Sequence, residues 1–100
     1  MIKHIVMLRI QDFAEGKTKH ENAVYMKEIL ESLKEKIPQI IKLEVGINFK
    51  HHQGAFDIVL FVEFNSKEDL DAYIANPEHK KVAEYIIKVR SDRAVIDYEC

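Results

Sequence analysis

The sequence predicts one α+β domain, its strands and helices running βαββαβ around a four-stranded antiparallel sheet. Three observations carry that expectation. Four segments alternate apolar and polar residues or are apolar on both faces. Three others repeat apolar residues at three- and four-residue steps. Each of those three opens on a residue suited to cap a helix.

The first strand is Ile2 to Ile10, rich in Ile and Val and free of breakers. His4, Val6, Leu8 and Ile10 point one way, and Lys3, Ile5, Met7 and Arg9 the other. Thr18-Lys19-His20-Glu21 is a capping box, with Thr18 as the cap and Glu21 reaching back. The helix it opens carries Ala23, Met26, Ile29, Leu30, Leu33 and Ile37 as one stripe, and Pro38 ends it. Leu43, Val45, Ile47 and Phe49 alternate with polar residues and Gly46 in a half-buried second strand. His51 to Gly54 is turn material. The third strand, Phe56 to Phe64, is apolar on both faces in its middle.

Ser66 caps a short helix with Leu70, Tyr73 and Ile74 inward. Pro77 disfavours helix at the residue before it, so this helix ends near Asn76 and another starts there, with Asn76 as cap. Val82, Ala83, Ile86 and Val89 form its apolar side. A last strand runs from about Arg93 to Glu99. This order is the ferredoxin-like one, with the first and third strands central. Its helices cover one face of the sheet. The other face then exposes large apolar side chains, and two copies packed sheet to sheet would bury them, which predicts a homodimer.

Composition excludes several function classes. Hydrophobic residues make up 47% of the 100 residues, enough for one modest core, so residues 1–100 are read as a single domain. Fifteen basic and seventeen acidic side chains nearly cancel, and Lys50-His51-His52 is too short to track a phosphate backbone, so nucleic-acid binding is disfavoured. The longest apolar run, Ile58 to Val62, cannot span a bilayer, and the charged N-terminal strand is no signal peptide. Cys100 is the only cysteine, leaving no internal disulfide and no cysteine metal cluster. His51 and His52, adjacent in a turn, point apart and chelate poorly. The expectation is a cytoplasmic protein without metal or cofactor.

Tyr73 to His79 is the densest chemical segment. His79 falls in the first turn of its helix, where the dipole opposes protonation and favours a neutral, proton-accepting imidazole. Tyr73 can donate a hydrogen bond. His4 shares a strand face with Val6 and Leu8. Gly46 reads as a bulge or as room for a ligand inside the barrel. Asp97 is either a plain alternation residue or a partner that orients an imidazole.

Lys3-His4-Ile5-Val6, Val45 to Phe49, Phe56 to Leu60, Tyr73 to His79 and Val95 to Tyr98 together resemble the stress-responsive α/β-barrel domain (Dabb) family. The resemblance runs in register along nearly the whole chain and implies a dimeric α/β barrel. Most bacterial members of that family have no assigned reaction. One plant branch contains polyketide cyclases, which close a polyketide by an aldol-type condensation without cofactor. That branch has a histidine at the position of His4, a tyrosine at that of Tyr73 and a catalytic histidine at that of His79. Its further helix tyrosine is not matched by Tyr25, and Asn76 stands where the family often has histidine. The leading expectation is a homodimer whose barrel takes a small apolar molecule. A cyclase-like lyase using His79 as base, Tyr73 as hydrogen-bond donor and His4 to orient the ligand is the alternative. A purely structural dimerisation module is a third reading. A monooxygenase, as in other dimeric α/β barrels, has no tryptophan or haem-ligand context to support it.

Overall fold

The computed structural model describes all residues from Met1 to Cys100. Along the chain lie β1 (Ile2–Ile10), a small hairpin of β2 (Phe13–Ala14) and β3 (Lys17–Thr18), α1 (Lys19–Glu31) and α2 (Leu33–Lys36). Then come β4 (Lys42–Ile47), β5 (Ile58–Phe64), α3 (Lys67–Ala75), α4 (Pro77–Val89) and β6 (Arg90–Glu99). Four strands form one antiparallel sheet in the order β4-β5-β1-β6, so the two strands with apolar residues on both faces are the central pair.

Register sorts the side chains. His4 opposes Val62 on one side and Asp97 on the other, and Ile5 opposes Phe61 and Ile96. Ile2, His4, Val6, Leu8 and Ile10 are buried beneath the helices, as are Ile58, Leu60, Val62 and Phe64 of β5. The opposite face carries Ile5, Met7, Val59, Phe61, Ile96 and Tyr98 and has no helix over it. Gly46 lies on that face, opposite Val59. A Cβ there would meet Val59 Cγ1 at 3.2 Å, so the glycine makes room for a neighbouring side chain and does not open space under the helices.

Caps begin the helices as expected. Thr18 Oγ1 accepts from Glu21 N–H and the Glu21 carboxylate accepts from Thr18 N–H, which closes the capping box. Ser66 Oγ accepts from Asp69 N–H. Asp57, buried, accepts from Ile10 N–H at 2.8 Å and ties the end of β1 to the start of β5.

Five expectations need correction. The first helix is not continuous to Pro38. It breaks at Ser32, whose hydroxyl donates back to the Ile29 carbonyl at 2.6 Å, and α2 resumes with Leu33 fully buried. The second strand stops at Ile47, and Phe49 is 92% exposed; Asn48 donates its side-chain amide to the Phe56 carbonyl and turns the chain away. For the same reason β5 begins at Ile58. Ile74 faces outward at 46% exposure, and α3 directs Leu70 and Tyr73, a helical turn apart, into the core. The last strand starts at Arg90, directly from α4.

Candidate functional site

Three elements converge under the helix layer. β1 brings His4 on its helix-facing row. The last turn of α3 brings Tyr73, fully buried against Phe64 with ring centroids 5.1 Å apart. The Asn76-Pro77 break then restarts the chain, with Asn76 Oδ1 accepting from Glu78 N–H at 2.8 Å, and puts His79 in the first turn of α4. The six-residue interval thus folds back on itself. The Tyr73 and His79 rings lie 4.6 Å apart, centroid to centroid. Tyr73 also meets His4 edge to face at 5.9 Å.

All three side chains line one cavity of about 240 Å³ between the sheet and α4. Its walls are mostly apolar, with Val6, Leu8 and Leu60 from the sheet and Val82 and Ile86 from α4. The space lies within a single chain, between sheet and helices. Ile87, Arg90 and Arg93 lie at its rim, where α4 passes into β6.

The polar atoms in this cavity are unevenly satisfied. His4 Nδ1 is hydrogen-bonded to the Asp97 carboxylate across the β1–β6 pair. Asp97 is thus a hydrogen-bond partner of the His4 ring and not a plain alternation residue. The Tyr73 hydroxyl and His79 Nδ1 are buried and have no hydrogen-bond partner. Burial raises the pKa of Tyr73, so the phenol stays protonated and able to donate. Burial also lowers the pKa of His79, helped by the neighbouring His4 and Arg93, while the Ile74 carbonyl works the other way. The neutral imidazole expected from the helix dipole is present, but desolvation is its main cause. The imidazole and the phenol thus share one apolar space.

Other candidates lie elsewhere. Tyr25 packs edge to face on Tyr85 at 4.9 Å, beneath Lys17, and does not line the cavity. Tyr85 donates to the buried Asn22, whose amide holds the Ala14 carbonyl at 3.0 Å. This group fastens the small hairpin to the helices. His51 and His52 are exposed at the β4–β5 turn, and no three His, Cys, Asp or Glu side chains are grouped so as to hold a metal ion. No helix is long and apolar enough to cross a membrane. Sequence reading missed Arg90 and Arg93. Their signal was weak: Arg90 fell between the expected helix and strand, and Arg93 looked like an ordinary first residue of an edge strand.

Comparison with known proteins yields a consistent picture. The family model described as the stress responsive A/B barrel domain matches residues 2–100. A dimeric protein of unknown function with a ferredoxin-like fold from Bacteroides fragilis is 32% identical. The match covers 99% of this chain and 95% of that one, with a TM-score of 0.86. A dimeric ferredoxin-like protein of unknown function from Thermobifida fusca is 19% identical over 99% and 90% of the two chains, at a TM-score of 0.85. The hydroxynitrile lyase of Passiflora edulis shares the fold at 15% identity, over 97% of this chain and 90% of its own, with a TM-score of 0.79. No functionally curated protein matches in sequence.

Proposed function

The chain belongs to the stress-responsive α/β-barrel domain family, and on that basis we propose that it is a homodimer whose sheet–helix cavity takes a small, largely apolar molecule. One observation carries the ligand reading: the apolar cavity of about 240 Å³ into which the Tyr73 hydroxyl and His79 Nδ1 bring unsatisfied hydrogen-bonding capacity. Buried polar atoms without partners are costly, and a ligand carbonyl or hydroxyl would relieve them. Native mass spectrometry and calorimetric titration with compact apolar ketones test this. Binding to the wild type that is lost when Ile86→Trp fills the space supports the reading, and equal binding by both proteins removes it.

The dimer reading rests on the helix-free face, where Met7, Val59, Ile96 and Tyr98 are each more than a third exposed, and on the dimeric state of the related structures. A stable interface there would bury more than about 1,000 Å² in total. Light scattering should return twice the 11.7 kDa chain mass, and Phe61→Asp should shift the protein to monomer or to aggregate. A wild-type monomer mass at micromolar concentration refutes it.

A catalytic reading is the second, favoured by the 4.6 Å contact between the Tyr73 and His79 rings. His79 would take a proton from a carbon beside a carbonyl, and Tyr73 would hydrogen-bond the developing enolate oxygen. The carbanion would add to a second carbonyl, and the imidazolium would return its proton to the new alkoxide. His4, held by Asp97, would orient the ligand from the strand side. A positioned base is worth roughly 10²–10⁴-fold in rate. Turnover of β-keto thioesters that is unchanged in His79→Ala would exclude the mechanism.

A further inference from the structure

We propose that the molecule bound in this cavity carries a carboxylate, held at the mouth by Arg90 and Arg93, with its apolar body directed inward toward Tyr73. The inference rests on the ligand reading above and names the chemical class that reading leaves open.

The chain has three arginines, and they are used differently. Arg9 is occupied by structure: its guanidinium lies over the Phe56 ring at 4.5 Å and donates to the Gly54 carbonyl at 3.3 Å. Arg90 and Arg93 both line the cavity, and every ion pair in the molecule is made by a lysine or by His4. Neither arginine is paired with a carboxylate of its own strand. Asp92 accepts from the Arg93 backbone N–H, and Asp97 is bound to His4. In a chain of net charge −2, the mouth of its apolar cavity thus holds two cations that form no ion pair.

Both residues also stand on fixed backbone. Gln11 N–H donates to the Val89 carbonyl at 2.9 Å, and its side-chain amide reaches the Lys88 and Arg90 carbonyls, which anchors the passage from α4 into β6. Arg93 opposes Leu8 on the helix-facing side of β6. Its charge is close enough to help keep His79 neutral. A planar guanidinium matches a carboxylate in a two-pronged hydrogen bond. At the rim this head group stays partly solvated, and the apolar remainder fills the walls. At about 240 Å³ the cavity falls below the usual range for drug-sized ligands, roughly 300–1,000 Å³, so the acid is compact.

The test compares phenylacetate with its neutral isostere phenylacetamide by calorimetric titration of the full chain. The panel is wild type, Arg93→Gln, Arg90→Gln and the double variant, with thermal melts as the folding control. The wild type should prefer the acid by about tenfold or more, as hydrogen bonds to a charged group imply. Each single variant should lose part of that preference and the double variant all of it, with acid affinity falling more than amide affinity. Equal binding of acid and amide by the wild type, or a preference that survives in the double variant, overturns the carboxylate assignment and leaves the apolar-ligand reading standing. Failure of both compounds to bind overturns both. Inorganic phosphate competing as strongly as phenylacetate would mark a plain anion site and overturn the proposal as well.

Discussion

The two long helices cover the same sheet face in opposite ways. α1 lies along β4 and closes the space beneath it: Ala23, Met26 and Leu30 are buried, joined by Leu33 and Ile37 below. α4 buries only Val89 completely, while Val82 and Ile86 are half-buried over the cavity. One half of the layer is filled by side chains and the other is left hollow, within one fold and one sheet. The filled half supplies the packing on which stability depends, and that lets the hollow half keep space and unpaired polar atoms.

The strongest way to break this contrast is to truncate equivalent residues on either side. Leu33→Ala should cost about 2–5 kcal/mol of folding stability, as large-to-small changes in a closed core do. Ile86→Ala, beside existing space, should cost about 1 kcal/mol. Urea denaturation reads both, and equal losses would mean that the halves are packed alike.

Two tyrosines sharpen it. Tyr85→Phe removes the hydrogen bond to Asn22 and should cost about 1 kcal/mol. Tyr73→Phe removes a hydroxyl with no partner and should be neutral or slightly stabilising, while weakening any ligand that hydrogen-bonds there. The same melts decide between them.

The smallest effect is a pH slope. The pKa of His79 in the fold is below its ordinary 6.5, so the unfolded chain binds the extra proton first. The contribution of His79 to stability is therefore intact above about pH 6.5 and declines as pH falls toward its folded value. His79→Gln should flatten that decline in denaturation midpoints measured between neutral and mildly acidic pH. An unchanged slope would place the imidazole in water.

Much of the architecture could be read directly, because it follows from local chemistry. Thr18 with Glu21, Ser66, and Asn76 with Pro77 mark the helix starts, and the two-faced strands identify the sheet centre. The hairpin at residues 13–18 was hidden, since its turn uses Glu15 at φ 52° before Gly16, without the Asn-Gly or Asp-Gly pair that advertises such turns. The break at Ser32 was hidden too, because the apolar stripe runs through it unbroken. Of the site, His4, Tyr73 and His79 were visible as types at telling positions. The partner of His4 came only from the β1–β6 register, and Arg90 and Arg93 only from where α4 hands over to β6.

The alternation along β1 has an evolutionary consequence. His4 and Val6 look into the cavity, while Ile5 and Met7 look out of the bare face. Loss or gain of one residue within the strand would exchange those roles from that point onward, sending the imidazole outside and isoleucine into the pocket at one stroke. Point substitutions can retune one side without the other, but indels cannot. Length variation in descendants of this chain should therefore collect in the exposed turn around His51–Gly54 and spare the strand.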